Sequence, residues 1–327
     1  MIELTADNAL DYLRQIKWID NGPASVEPLS GGVSNQVLRV TTPERRFVLK
    51  QSRPQLRTRD AWFSDLERIW REQEVMQALY PHLPDVVPEV LFVDRANYVY
   101  AMTHAPMDGK VWKAELLDGH IDADFGTRIG SVLGRMHQIS AEEANEFQRF
   151  RDHTVYVQLR VDPFYVRVQE RCPDVADAIA SIIEDMLTRK EALCHGDYTP
   201  KNILVHKNGF MLVDYETAHF GDPTMDLGLF LAHLTLKAVR SPERGAEFVA
   251  LMRNFWRAYC EEATFASHRD LEKRGVKHYG VCLLARVAGT SPVDYLATPE
   301  SREIVHRLAR MLIRNANSWE DIWKLFG

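Results

Sequence analysis

Apolar positions change their spacing along the chain, and the change divides it. Ala9, Leu10, Leu13 and Ile16 recur at helical spacing, with Thr5 placed to cap the start and Asn21-Gly-Pro to end it. Residues 37–40 and 46–51 are instead β-branched and apolar, and the Thr-Thr-Pro-Glu-Arg between them predicts a hairpin. Leu66, Ile69, Val75, Met76 and Leu79 return to a helical period over 64–80, until the proline-rich stretch 81–88 stops it. Two further strands are expected near 89–94 and 97–103, and from about residue 110 helical patterns dominate. The pattern predicts an α+β protein with a small β-rich N-terminal part, 1–103, and a larger, mainly helical part, 104–327. A chain of 327 residues exceeds one ordinary core, so two lobes sharing a cleft are expected, with the crossing near 103–106. No repeat or flexible linker interrupts it, so the two parts should pack directly.

Composition narrows the class. Hydrophobic residues make up 46% and charged residues 26%, as in an ordinary globular protein. Mean hydropathy is −0.28, and no apolar run approaches the length of about 18 residues that a membrane span needs. The opening residues lack the basic stretch and apolar core of a secretion signal, so a cytoplasmic location is expected. Cys172, Cys194, Cys260 and Cys282 are widely separated, which argues for reduced core thiols over a disulfide framework or zinc site. A net charge of −6 lacks the basic excess that a nucleic-acid partner requires.

The chemistry concentrates in Cys194-His-Gly-Asp-Tyr-Thr-Pro-Lys-Asn202, followed by the strand-like run Ile203 to Val205. A short loop before a strand can aim the Asp197 carboxylate at an attacking hydroxyl and the Asn202 amide oxygen at a metal, as phosphoryl transfer requires. A polar surface turn is the alternative. The apolar run Phe210 to Val213 then delivers Asp214, with Glu216 on the same face of extended chain. These two carboxylates suit the hard Mg²⁺ that accompanies ATP, although Asp at a strand end is also a common turn former.

Those two motifs resemble the aminoglycoside phosphotransferase and choline kinase superfamily, with its His-Gly-Asp-x-x-x-x-Asn loop and following metal Asp. The resemblance covers nearly the whole chain and implies a protein-kinase-like two-lobed fold, ATP and Mg²⁺ as cofactors, and a small-molecule hydroxyl acceptor. Under it, Leu29-Ser-Gly-Gly-Val-Ser-Asn-Gln looks like the nucleotide loop, with Gly31, Gly32, Ser34 and Asn35 facing phosphates. Val48 would roof adenine and Lys50 pair with the α and β phosphates, a solvated strand lysine being the alternative. Family spacing selects Glu72 to hold Lys50, with Glu74 as rival. Tyr100-Ala-Met-Thr-His-Ala is similar to the hinge, the Thr103 carbonyl and Ala105 amide reading adenine with Met102 behind them. Asp226 would cap the apolar helix from Leu227 or brace the catalytic loop, and His195 would brace it too.

The acceptor class is constrained further. A protein kinase would carry Arg before the catalytic Asp and a long activation segment, but here Gly196 stands in that place and only 11 residues separate Asp214 from Asp226. Leu49-Lys-Gln-Ser-Arg-Pro-Gln-Leu-Arg with Trp62 beyond, together with Asp214-x-Glu216, resembles the methylthioribose kinase branch, from which Asn202 and the single Arg286 depart. A sugar-like acceptor is therefore expected. Residues 195–327 hold 16 acidic against 17 basic residues, which weighs against the acidic wall a polycationic aminoglycoside would need. Arg286 and His233 are candidate substrate contacts by position, with surface or core roles as alternatives. Aminoglycoside or amino-alcohol phosphorylation, or a non-catalytic nucleotide-binding pseudokinase, are the rival functions.

Overall fold

The computed structural model describes residues 2–29, 35–53 and 66–326. They form two compact units. The first takes the chain up to Gly109 together with Leu204–Glu216; the second takes Lys110–Ile203 and the chain from Thr217 onward.

The first unit is built on an antiparallel sheet of β1 (Ser25–Pro28), β2 (Asn35–Thr41), β3 (Arg46–Ser52), β4 (Val90–Asp94) and β5 (Val99–Thr103), in the order β1-β2-β3-β5-β4. Period-two alternation explains its two faces. Phe47 and Leu49 on β3, with Leu38 and Val40 on β2, pack into a core with Leu4, Tyr12 and Leu13 around helix α1 (Ala9–Gln15). Val48 and Lys50 therefore point to the other face, and the register sets Val48 opposite Met102 and Lys50 opposite Tyr100. The second helix, α2 (Arg68–Leu79), buries Arg68, Ile69, Glu72, Val75, Met76 and Leu79. The returning segment contributes β6 (Ile203–His206), hydrogen-bonded to β7 (Gly209–Leu212), whose Leu212 N–H donates to the Val86 carbonyl at 2.9 Å.

Three local expectations are corrected. Asn8, not Thr5, stands at the N-cap of α1, because residues 6–8 form a turn; Thr5 contributes its carbonyl to Ala9 N–H, 3.1 Å away. The strand expected from 97 begins at Val99, since Asp94 accepts from the Ala96 and Asn97 amides and turns the chain first. The helix expected over 64–80 starts at Arg68 among the described residues.

The second unit is mainly helical: α3 (Ala123–Glu142), α4 (Ala176–Thr188), α5 (Thr224–Arg240), α6 (Gly245–Glu262), α7 (His268–Ala288) and α8 (Pro299–Arg314). Helix α5 is buried from Thr224 to Val239, as an all-round apolar helix should be, and packs against α7. Helices α3 and α6 approach closely because Gly130 faces the Phe255 backbone, where any Cβ would overlap the carbonyl. A short antiparallel ladder pairs Ala192–Cys194 with His219–Gly221 and sets Cys194 opposite His219. A π-helical stretch with Pro163 inside it, Val157–Val166, lies beside the loop that follows Cys194. All four cysteines are free, three of them buried. No helix among the described residues is long and apolar enough to cross a membrane.

Candidate active site

Each unit holds one cluster of the residues singled out by sequence. In the first, Lys50 Nζ lies 2.7 Å from Glu72 Oε1 and 3.1 Å from Asp214 Oδ1. Glu72 is on the buried face of α2, whereas Glu74 is half-buried and pairs with Arg95 at 2.8 Å. One turn before Glu72, the buried Arg68 reaches Glu216 Oε2 at 3.5 Å, and Asn35 Nδ2 donates to the same oxygen at 3.2 Å. The Tyr215 amide, between the two acidic residues, donates to Glu72 at 3.3 Å. Asp214 itself has a φ of 74°, a left-handed conformation that Asp tolerates better than most residues and that marks a constrained position.

Electrostatics follow from three carboxylates crowding one ammonium. Burial alone would lower the Lys50 pKa, but Glu72, Asp214 and Glu216 together hold it above the ordinary lysine range. Burial pushes Glu72 up to about 7 against the pull of Lys50, with Asp214 and Glu216 adding to the rise. The hinge residues lie at the end of β5: Met102 is buried, Thr103 Oγ1 accepts from Glu89 N–H at 3.0 Å, and the Ala105 amide has no protein acceptor among the described residues. Gly31, Gly32 and Ser34, and Trp62 with them, lie outside the described residues.

In the second unit, Asp197 is 3% exposed and its Oδ2 gathers three donors: Arg160 Nη2 at 2.7 Å, Lys201 Nζ at 2.8 Å and Asn202 Nδ2 at 2.8 Å. Among the described residues, Oδ1 takes no hydrogen bond. Burial would raise this carboxyl, but Arg160 and Lys201 outweigh it and hold Asp197 well below the usual carboxylate range. With its Nδ2 committed to Asp197, Asn202 has its amide oxygen to offer elsewhere. The loop is held from behind by Asp226, whose oxygens accept from the His195 and Gly196 amides at 2.6 and 2.8 Å. Asp226 is not the cap of its helix, which starts at Thr224; it sits in the first turn, facing the loop. His195 turns back on the loop, its Nδ1 accepting from Asp197 N–H at 3.2 Å. Gly196 has a φ of 74°, and a Cβ there would sit 2.5 Å from the Thr217 carbonyl, so only glycine fits.

His233 is buried on α5, and burial with Arg286 and Lys237 nearby pushes it well below the ordinary histidine range. Sequence reasoning missed Arg68, Arg160 and Lys201. Lys201 stands inside the motif, and its four-residue offset from Asp197 was a usable signal; Arg160, 37 residues before Asp197 on the π-helical stretch, gave none.

A metal here would meet one or two carboxylates, with phosphate oxygens and waters completing the shell, which is how Mg²⁺ is ordinarily held beside nucleotides. No cage of three His, Cys, Asp or Glu side chains exists among the described residues. Within the first unit Asp214 is a carboxylate, and within the second Asn202 an amide oxygen, of the kind that such a shell uses.

Comparison with known proteins decides the class. The model of the phosphotransferase enzyme family matches residues 25–272 of the chain. The chain belongs to this family. It is an ATP-dependent small-molecule phosphotransferase with a protein-kinase-like α+β fold. The phosphotransferase is 23% identical over 287 residues to the methylthioribose kinase of Exiguobacterium sibiricum, covering 78% of this chain and 72% of that enzyme. It is 25% identical over 262 residues to the methylthioribose kinase of Citrobacter koseri, covering 71% and 65%. The chain thus spans about two thirds of the length of such relatives. Among solved structures, a choline/ethanolamine kinase family protein from Mesorhizobium loti superposes with a TM-score of 0.54 at 18% identity over 98% of both chains. An amicoumacin kinase, solved in complex with AMP-PNP, Ca²⁺ and Ami, does so with 0.58 at 13% over 97% of both.

Proposed function

We propose that the phosphotransferase moves the γ-phosphate of MgATP to a hydroxyl of a small, sugar-like acceptor, with Asp197 as the catalytic residue. The acceptor oxygen forms the new bond to the γ-phosphorus, the bond from that phosphorus to the β–γ bridging oxygen breaks, ADP leaves, and the hydroxyl proton passes to Asp197. The observation that carries this is the one-sided solvation of Asp197: three donors fix Oδ2, so Oδ1 is the oxygen presented to a hydroxyl. A strongly depressed pKa is compatible with that task, because a loose transition state needs the hydroxyl aimed more than it needs a strong base.

In this reading Lys50, oriented by Glu72, binds the α and β phosphates; Asn35 faces the phosphates; and Thr103 and Ala105 read adenine through backbone groups beside Met102. Asn202 and Asp214 would each offer an oxygen to Mg²⁺, which would neutralise phosphate charge when bound. Glu216, held by Arg68 and Asn35, is the third proposed ligand, and Glu216→Gln should raise the Mg²⁺ concentration needed for half-maximal turnover severalfold. The methylthioribose kinases among its relatives support a sugar-like acceptor. The four free thiols suit a cytoplasmic enzyme.

The test is ADP release by purified protein with Mg²⁺ against sugars, methylthioribose, amino alcohols and aminoglycosides. Asp197→Ala should lower turnover roughly 10³-fold, within the usual range for removing a positioned base, and leave AMP-PNP affinity unchanged. Near-normal turnover in that variant would remove Asp197 from the mechanism, and nucleotide binding without turnover on any acceptor would favour a binding module.

A further inference from the structure

Helix α5 is buried over nearly its whole length, yet it carries a polar row at helical spacing: Asp226, His233 and Lys237. Asp226 spends both oxygens on the catalytic loop. Lys237 is 1% exposed, and among the described residues its ammonium donates only to the His233 carbonyl, 2.9 Å away, with no carboxylate paired to it. An unpaired buried ammonium costs stability, and such groups are ordinarily paired or used.

The surroundings deepen the imbalance. Lys237 Nζ and Lys113 Nζ each lie 5.6 Å from the centre of the Tyr295 ring. Arg286 and Arg160 lie 5.6 and 5.7 Å from the centre of the Phe164 ring. Arg160 continues to Asp197 at 2.7 Å, which ties the cluster to the proposed base. Tyr295 Oη and Arg286 Nε are buried atoms without a hydrogen-bond partner among the described residues. The acidic groups that face this cluster are Asp197, whose Oδ2 is already paired with Arg160 and Lys201, and Asp294 beside Tyr295; Arg240 adds a further cation.

Four cations around two rings, two orphaned donors and a buried unpaired ammonium, tied to the catalytic loop through Arg160, leave a site deficient in negative charge. We infer that the small molecule bound beside Asp197 carries an anionic group, a phosphate or a carboxylate, which is received by Lys237, Arg286 and the Tyr295 hydroxyl. The inference deepens the kinase reading, on which it rests for calling that molecule the acceptor. It separates this chain from enzymes acting on cationic amino alcohols or aminoglycosides, which such a cluster would repel.

The test is calorimetric titration of the full chain, with Mg²⁺ and AMP-PNP present, by ribose, ribose 5-phosphate, ribonate, glucosamine and inorganic phosphate. Ribose 5-phosphate or ribonate should bind at least about tenfold more tightly than ribose, a difference of about 1.4 kcal/mol, and the better of the two identifies the anion. Lys237→Met, which keeps the buried stem's volume, and Arg286→Gln should each abolish that preference while leaving AMP-PNP affinity unchanged. Equal or tighter binding of ribose or glucosamine, no binding by any anion, or a preference surviving both substitutions would overturn the inference. Parallel loss of AMP-PNP in both variants would overturn it as well, by assigning the cations to the nucleotide. Because binding is read without turnover, anions that bind but are never phosphorylated would remove the kinase reading and leave this one standing. Asp197-dependent phosphorylation of neutral or cationic acceptors alone would do the reverse.

Discussion

At the residue scale, the first unit balances two cations, Lys50 and Arg68, against three carboxylates, Glu72, Asp214 and Glu216. Excess negative charge in a buried cluster is unfavourable until further cations arrive, which is what a metal–nucleotide complex supplies. Asp214→Asn should therefore keep a thermal midpoint no lower than the parent's, because Asn also tolerates the left-handed backbone, while turnover falls roughly 10²-fold or more through lost positioning of the transferred group. A midpoint several degrees lower would show that Asp214 is structural. Glu72→Gln differs in kind. Among the described residues it leaves Lys50 paired with Asp214, 3.1 Å away, so Lys50 should swing toward it, and KM for ATP should rise severalfold along with a drop in kcat.

At the element scale, α5 carries the catalytic loop on its first turn. Asp226→Ala would leave the buried His195 and Gly196 amides without acceptors, each worth about 1–3 kcal/mol, so both thermal midpoint and turnover should fall together. Asp226→Asn, which keeps one acceptor oxygen, should restore part of each. Gly130→Ala should destabilise by about 1–3 kcal/mol through overpacking of α3 against α6, read by thermal unfolding, with KM for ATP unchanged because the nucleotide cluster lies in the other unit. Much of this was legible in sequence. Period-two alternation placed Val48 and Lys50 on one strand face, and the five-residue offset from Asp197 to Asn202 marked the loop. Arg160 was not legible, because its partner lies 37 residues away and only the π-helical stretch aims it. Arg68 was hidden differently: it sits on the same face as Glu72, but an arginine on a helix ordinarily reads as a solvated position, and only tertiary packing buries it. Asp226 was read correctly as a loop brace and wrongly as a cap, because its helix begins one half-turn earlier than the apolar run implied.

At the scale of the whole molecule, the cation cluster around Lys237 should leave a signature in stability as well as in binding. Burial first, then Lys113, Arg286 and Arg240, pull the Lys237 pKa from 10.5 down to about 7. Burial, Arg286 and Lys237 push His233 beside it well below the ordinary histidine range, and a histidine supplies no negative charge in either form; Asp294 acts on Tyr295. Between pH 7 and 10.5 the unfolded chain then holds a proton at this position that the folded chain has released. Stability rises with pH wherever the unfolded state binds more protons. Lys237 therefore weakens the fold most at and below pH 7, where it is charged in both states, and this penalty fades as pH climbs toward 10.5. Lys237→Met should raise the thermal midpoint by several degrees at pH 6, with the gain shrinking as pH increases, and the comparison needs only paired melts of the two proteins across that range. An anion seated on Lys237 would favour its protonated form, so binding of ribose 5-phosphate or ribonate should take up a proton above pH 7 and weaken as pH rises further. A destabilised Lys237→Met at pH 6 would instead mean that the ammonium already has a partner in the free protein, and the cluster would then be a structural network in no need of a ligand.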